Sequence, residues 1–132
     1  MKVLMRWLSS VAFALLIPIV SPAQAPVDFS SEIQPLFQKR CILCHGPNMQ
    51  ASGLRLDRRD AALRVIQPGN SSASRIVAMV SGTGPKVMPP VGDRLTPQQI
   101  SLLKTWIDQG AKWPEAVDAT VETTHWSFRP IQ

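Results

Sequence analysis

Both cysteines of the chain lie in one short C-x-x-C-H motif, formed by Cys41, Cys44 and His45. On a helical turn, positions i, i+3 and i+4 share one face, so two thiols and an imidazole can point to the same side. Such a group can bond to two vinyl groups of a porphyrin and hold its iron. The spacing therefore predicts one covalently attached haem c, with His45 as an iron ligand. The other ring nitrogen of His45 then needs an acceptor, for which we expect the carbonyl of Pro47 or Pro68.

Three other kinds of site use the same residue types. A thioredoxin-type redox pair requires a βαβ context, which the pattern of the chain does not suggest. A structural zinc site requires a fourth ligand, which only His125, far along the chain, could supply. A disulfide between Cys41 and Cys44 would leave His45 without a role. Haem attachment is the interpretation that uses all three residues.

Haem iron in electron-transfer proteins is often held by His on one face and Met on the other, and the chain has five methionines. Met1 and Met5 belong to a removable N-terminal segment. Met49 follows His45 too closely to reach the opposite haem face. Met79 lies in an apolar helical stripe, where we expect it to fill the core. These four are therefore the weaker candidates for a second iron ligand.

The remaining methionine, Met88, lies in a proline-rich segment, residues 84–90, and directly precedes Pro89. A residue before proline is biased to an extended backbone, so Met88 would project from a stiff strap. We expect its thioether to be the second iron ligand. If Met88 only packs the strap onto the core, His125 or no protein group would be the sixth ligand.

The N-terminus has the pattern of a secretory signal peptide over residues 1–25. Lys2 and Arg6 are the positive charges, residues 7–20 are mostly apolar, and residues 23–25 (Ala-Gln-Ala) fit a cleavage site. A membrane-spanning helix needs about 20 apolar residues, which this run does not reach. We therefore expect export to the periplasm or beyond, and no membrane span after cleavage. An uncleaved N-terminal anchor is the alternative.

The composition is that of a globular protein, with 45 % hydrophobic and 17 % charged residues. The net charge is +5, and without Lys2 and Arg6 the remaining 12 basic and 9 acidic residues give +3. The basic residues form no block, so we expect no nucleic-acid partner. The length predicts one domain, residues 26–114, followed by a tail or linker stub, residues 115–132.

Four helical stretches are predicted, separated by long Pro- and Gly-containing loops. The first covers about residues 31–45 and starts with a capping box between Ser31 and Gln34. A short second stretch follows Asp57, and the third covers about residues 72–80. No sustained two-residue alternation is present, so the sequence predicts an all-α fold.

The fourth stretch has the clearest boundaries. Thr96 fits the N-cap, Pro97 the first helical position and Gln99 the capping box, while Gly110 fits the C-terminal end. Its apolar face and that of the first helix should supply the core and the haem wall through Ile33, Leu36, Phe37, Leu103, Trp106 and Ile107. Long loops in so small a domain usually enclose a ligand or another functional site.

Five segments carry a pattern more specific than C-x-x-C-H: residues 27–46 (VDFSSEIQPLFQKRCILCHG), 52–57 (SGLRLD), 68–71 (PGNS), 88–90 (MPP) and 102–111 (LLKTWIDQGA). Together they resemble the planctomycete-type cytochrome c domain. The resemblance implies a small class-I-like cytochrome c fold, with N- and C-terminal helices crossing and long loops wrapping one haem. It implies thioether links at Cys41 and Cys44, His45 as the proximal ligand and Met88 in the family's Met-Pro-Pro strap. In larger members of the family, such a domain is the N-terminal part of a longer exported protein. The sequence is therefore compatible with a stand-alone cytochrome and with a truncated chain.

The function expected from these observations is one-electron transfer by Fe(III)/Fe(II) cycling. A haem-based sensor or docking module of a larger exported protein is the alternative, and an open sixth position on the iron would favour it. No distal His or Arg arrangement indicates a peroxidase, so we expect an electron carrier and no enzyme. The redox partner and the oligomeric state cannot be named from the sequence.

Overall fold

The structure is a computed structural model that describes residues 24–114. It contains a π-helical turn (Phe29–Ile33) and helix α1 (Gln34–Arg40), then a 3₁₀ turn (Ala51–Gly53), α2 (Arg59–Ala62), α3 (Arg75–Val80) and α4 (Pro97–Asp108). Residues 24–114 contain no β-strand, only an isolated antiparallel bridge between His45 and Gln50. The all-α prediction is confirmed for this part of the chain. No helix in it is long and apolar enough to cross a membrane.

Several predictions fall on residues that the structure does not describe. These are the signal peptide up to residue 23 and the tail over residues 115–132, with His125. The domain boundaries and the cleavage of the signal peptide therefore stay predictions.

The first helical segment starts earlier than predicted, because Asp28 is its N-cap. The Asp28 carboxylate accepts a hydrogen bond from the Ser31 N–H at 2.8 Å, and the Asp28 N–H donates to the Glu32 carboxylate at 2.9 Å. The capping box predicted at Ser31 and Gln34 is therefore wrong. Gln34 lies instead where the π-helical turn ends, with its N–H bonded to the carbonyl of Phe29. The wider turn leaves the following proline in the first turn of α1, where its missing N–H costs little.

Helix α1 ends at Arg40, and the prediction that it continues to His45 is wrong. The N–H groups of Cys41 and Ile42 both donate to the carbonyl of Phe37, at 2.8 and 3.0 Å. Cys41 also leaves the helical region of backbone space, with φ −125° and ψ −43°. Because two donors share one carbonyl, the regular ladder stops there and the C-x-x-C-H motif forms a turn of its own.

Helices α2 and α3 are both shorter than α1 and α4. Helix α2 follows Asp57 as predicted, whereas α3 starts at Arg75, three residues later than the expected start. The Asn70 side chain accepts hydrogen bonds from the Ser72 hydroxyl and the Ala73 N–H, at 2.7 and 3.0 Å. These local bonds offer the backbone an alternative to the helix, which explains the later start.

Helix α4 has the predicted boundaries. The Thr96 hydroxyl accepts from the Gln99 N–H at 3.2 Å, and the Gln99 side chain accepts from the Thr96 N–H at 2.9 Å. Pro97 is the first helical residue, and Gly110 has a φ of +100° just past the end of the helix. The capping box and the glycine stop are both confirmed, because each depends only on residues close in sequence.

The core joins the N-terminal segment to α4. Trp106 lies 5.7 Å from Phe29 and 6.2 Å from Phe37 between ring centroids, the second contact being edge-to-face. Trp113 packs on the same cluster, with its ring 4.1 Å from that of Phe29. All six residues predicted for the core are buried. Three long segments between helices lie outside this aromatic cluster: residues 41–58, 63–74 and 81–96.

Candidate functional site

The C-x-x-C-H motif forms a single helical turn after α1. The His45 N–H donates to the carbonyl of Cys41 at 2.8 Å, and the Cys44 N–H donates to the same carbonyl at 3.2 Å. Two further bonds hold the turn in the domain: the Cys44 carbonyl accepts from the Ala51 N–H, and the His45 carbonyl accepts from the Leu56 N–H. The i to i+4 bond expected from the spacing is therefore present, although the long helix around it is not.

Gly46 allows this turn to close tightly. A Cβ at this position would lie 2.4 Å from the carbonyl oxygen of Ile42 and 2.7 Å from its Cγ2 atom. The Gly46 N–H also donates to the carbonyl of Met49 at 2.9 Å. Any larger residue would push the backbone of the motif, so the glycine after the histidine is a steric requirement.

One mostly apolar cavity of about 390 Å³ collects the predicted site residues. Cys41, Cys44, His45 and Met88 all line it. Its aliphatic wall is formed by Leu54, Leu56, Val65, Ile76, Val80 and Leu95. Volumes of about 300–1,000 Å³ are usual for cofactor and small-molecule sites.

The wall residues belong to the long segments between helices and to α3. The sequence predicts them instead on the first helical segment and α4. None of the six residues predicted for core and haem wall, on the first helical segment and α4, lines the cavity. Their aromatic cluster packs the domain together instead. The physical reason is that the apolar faces of these two elements are already covered by each other, which leaves the loops to enclose the cavity.

Met88 is half-buried at this cavity, and its segment is bonded to α3. The Met88 N–H donates to the carbonyl of Met79 at 3.1 Å, and the Gly84 N–H donates to the carbonyl of Ala78 at 2.9 Å. Met79 also lines the cavity and is only half-buried, which differs from its expected role in the core. Met49 is 53 % exposed and does not line the cavity.

The imidazole of His45 keeps one nitrogen out of solvent. Its Nδ1 atom is buried and has no hydrogen-bond partner in the described part of the chain. The expected bond to the carbonyl of Pro47 or Pro68 is therefore not formed. A buried polar atom without a partner beside a cavity is a group that a bound ligand can satisfy.

The two thiols are free and half-buried. Burial raises the pKa of the Cys41 thiol from its ordinary value of 9.0 to about 12, because the charged form is desolvated. A thiol with a raised pKa is a poor redox nucleophile, since the thiolate is the reactive form. Among residues 24–114 no group of three or more His, Cys, Asp or Glu side chains is arranged to hold a metal ion. The raised pKa of Cys41 thus argues against the thioredoxin-type interpretation, whereas the zinc interpretation depends on His125, which lies outside the described residues.

Four cationic side chains also line the cavity and were missed from the sequence: Arg40, Arg64, Arg75 and Lys86. Among residues 24–114, no Asp or Glu lines the cavity. These residues come from four segments of the chain, and Arg64 and Arg75 belong to no motif, so no spacing could have grouped them. An apolar cavity with cations, two thiols, an imidazole and two thioethers fits haem, whose flat apolar ring carries vinyl groups, an iron and two carboxylates.

The helical fold and this donor set fit a domain that binds haem. The family model described as Planctomycete cytochrome C matches residues 41–92, from the first cysteine of the motif to just past the Met-Pro-Pro strap. The match confirms the resemblance inferred from the sequence. Searches of curated proteins and of solved structures found no match.

Proposed function

We propose that this chain is an exported c-type cytochrome that carries single electrons with one covalently bound haem. The observation that carries the proposal is that Cys41, Cys44, His45 and Met88 all line one apolar cavity. The family match over residues 41–92 supports it independently. Haem iron, when bound, would supply the Fe(III)/Fe(II) couple.

Each site residue has a defined task in this proposal. The thiols of Cys41 and Cys44 would hold the porphyrin by adding to its two vinyl groups, each addition breaking one S–H bond and one C=C π bond and forming one S–C and one C–H bond. The imidazole of His45 and the thioether of Met88 would be the two protein ligands of the iron. A thioether is a soft ligand that suits both oxidation states and would raise the potential relative to two histidines.

The residues around the cavity would also tune the reduction potential of the Fe(III)/Fe(II) couple. The aliphatic wall would keep water from a bound haem, and a dry pocket would disfavour the extra positive charge of the oxidised iron. The bonds from the strap to α3 hold the Met88 backbone in place before any ligand is bound. Fixed ligands lower the reorganisation required when the iron changes oxidation state.

Export is part of the proposal, because haem attachment to C-x-x-C-H takes place outside the cytoplasm in bacteria. Residues 1–25 would be removed, so that the mature chain starts at Pro26. The Gln109 side chain holds this region, since its Oε1 accepts from the Val27 N–H at 2.8 Å. Mass spectrometry of the mature protein from a periplasmic fraction should give Pro26 as the first residue.

The proposed function is tested by co-expressing the full chain with a cytochrome c maturation system and recording absorption spectra. We expect haem that remains attached after denaturation, with a spectrum typical of two thioethers. The double variant Cys41→Ala/Cys44→Ala is the matched control and should lose all covalent haem. If the wild-type chain carries no covalent haem, the proposal is wrong.

The native oxidised spectrum separates the carrier from the sensor. A Met-to-iron charge-transfer band supports the electron carrier with Met88 as ligand. Covalent haem without that band supports a haem-based sensor or docking module, whose iron exchanges its sixth ligand.

A further inference from the structure

The cations at the cavity are not equivalent. The Arg40 guanidinium pairs with the Asp93 carboxylate at 3.3 Å, so its charge is partly compensated. Lys86 lies on the strap, two residues before Met88. Arg64 and Arg75 differ from both, because they also line a second, more open groove that adjoins the cavity. Both arginines are exposed, so they mark one side on which the cavity meets solvent.

The fold brings Arg64 and Arg75 together although they lie in different segments. The Ile76 N–H donates to the carbonyl of Val65 at 3.0 Å, so the residues just before each of these two are neighbours. Val65 and Ile76 are buried and form part of the aliphatic wall. Both guanidinium groups are exposed and stand at the edge of that wall.

The donors of this pair are largely unused. One Arg64 nitrogen lies 3.4 Å from the carbonyl of Gly53, a weak contact across the cavity mouth. Within residues 24–114, Arg75 has no hydrogen bond or ion pair. Each guanidinium offers five N–H donors in a planar fork that matches a carboxylate. Two adjacent cations beside an apolar wall, with no acidic side chain lining either space, favour an anionic ligand.

We propose that Arg64 and Arg75 form the carboxylate-binding edge of the cavity and hold the two haem propionates. The inference rests on the proposed function and deepens it by giving the haem an orientation. The aliphatic part of the cavity would hold the apolar ring, and the two arginines at the exposed edge would hold its two carboxylates. Charged groups remain partly hydrated there, so their desolvation costs less than in the interior.

The test uses the full chain, matured with haem. The variants are Arg64→Gln/Arg75→Gln, which removes both charges, and Arg64→Lys/Arg75→Lys, which keeps the charges but not the forks. Arg94→Gln is the matched control, because Arg94 is exposed and adjoins the wall residue Leu95 but does not line the cavity. The readouts are the propionate-bending bands in the resonance Raman spectrum and the reduction potential.

We expect the propionate-bending bands to shift to lower frequency in both double variants, because hydrogen bonds to the propionates are lost. The potential should shift downward in the glutamine variant, since loss of positive charge favours the oxidised iron, and less in the lysine variant. Arg94→Gln should leave the bands at their wild-type positions.

Two outcomes overturn the inference alone. Bands that stay at the wild-type positions in both double variants would show that the propionates lie elsewhere. A band shift of the same size in Arg94→Gln would reduce the effect to general surface charge. If Arg64→Gln/Arg75→Gln does not accumulate, the test uses Arg64→Lys/Arg75→Lys alone. Propionate-bending bands at the wild-type positions in that variant would overturn the inference. Failure of the wild-type chain itself to bind haem would overturn the proposed function, and this inference with it.

Discussion

The N–H of Met88 donates to the carbonyl of Met79 at 3.1 Å, which bonds the proline-rich strap back to the helix that precedes it. The N–H groups of Thr83 and Gly84 both donate to the carbonyl of Ala78, and this forms a second attachment. Both attachments are made by backbone atoms. The side chain of Met88 can therefore be replaced without releasing the strap, so its role as a ligand can be tested separately from folding.

The first prediction concerns Met88→Ala in the haem-loaded chain. We expect covalent haem to be retained while the Met-to-iron charge-transfer band disappears. The reduction potential should fall by a measurable part of the about 0.8 V range over which axial ligands set it. Absorption spectroscopy and a redox titration measure both effects.

Two other methionines provide the comparison for this variant. Met49→Ala is the control, because Met49 is exposed and away from the cavity, and it should leave spectrum and potential unchanged. Met79→Ala tests the second thioether at the cavity. An unchanged band in Met88→Ala together with its loss in Met79→Ala would assign the ligand to Met79 and contradict our proposal.

The second prediction concerns Gly46→Ala. The added Cβ would lie 2.4 Å from the carbonyl oxygen of Ile42, so the backbone of the motif must move. We expect a destabilisation of about 1–3 kcal/mol, as for overpacked sites, and a lower yield of covalent haem. Denaturant unfolding and haem staining of a denaturing gel measure the two effects.

Gly92→Ala is the matched control for Gly46→Ala. A Cβ at Gly92 would meet nothing within 4 Å, and the substitution costs only the strain of its positive φ of +80°. Haem yield should therefore be normal in this variant. Equal haem yields in the two variants would refute the steric role of Gly46.

The third prediction compares two tryptophans of one aromatic cluster. The Trp106 side chain is 1 % exposed, and its Nε1–H donates to the carbonyl of Lys112 at 3.1 Å. Trp106→Phe should destabilise the domain by about 2 kcal/mol, because it leaves a cavity and an unpaired carbonyl. The buried Nε1 of Trp113 has no partner in the described part of the chain.

Trp113→Phe should therefore cost less than Trp106→Phe, since it removes a buried donor that makes no hydrogen bond. Denaturant unfolding of the two variants in the same state of haem loading gives the comparison. A larger loss of stability in Trp113→Phe than in Trp106→Phe would show that the packing of the Trp113 ring contributes more than the hydrogen bond of Trp106.

The fourth prediction concerns acid stability and the Arg55–Asp57 ion pair. Hydrogen bonds from the Arg55 side chain, one of them 3.0 Å long, hold the pKa of the Asp57 carboxyl below its ordinary value of 3.8. A folded-state pKa below the unfolded value contributes stability above that unfolded value, and this contribution is lost as the pH falls through the folded pKa. Asp57→Asn should therefore destabilise the chain near neutral pH, and its difference from the wild type should shrink below about pH 4.

Arg55→Gln tests the cause of this pH dependence. If the Arg55 hydrogen bonds lower the pKa of Asp57, this variant should lose the same pH-dependent part of the stability. Denaturant unfolding at a series of pH values measures all three chains. A pH dependence in Arg55→Gln that matches the wild type would assign the effect to another group.

Features that depend on neighbouring residues could be predicted from the sequence. The C-x-x-C-H spacing places three donors on one turn, and the turn is closed by the His45 to Cys41 hydrogen bond. Thr96, Gln99 and Gly110 define the ends of α4 in the same way. Each of these interactions spans a few residues, so its energy is set by local side-chain and backbone chemistry alone.

Features that depend on distant segments required the tertiary structure. Helix α1 ends early because the N–H groups of Cys41 and Ile42 share the carbonyl of Phe37. No residue type in the sequence predicts this shared hydrogen bond. The cavity is enclosed by three loop segments and α3, whereas the apolar faces of the outer helical elements pack on each other.

Arg64 and Arg75 illustrate the difference most directly. Neither belongs to a motif, and they become neighbours only through the backbone bond between Ile76 and Val65. The sequence by itself determined which groups can attach a haem, because that chemistry lies in one turn. Only the tertiary structure decided what surrounds the cavity, because burial and long-range hydrogen bonds depend on how the whole chain packs.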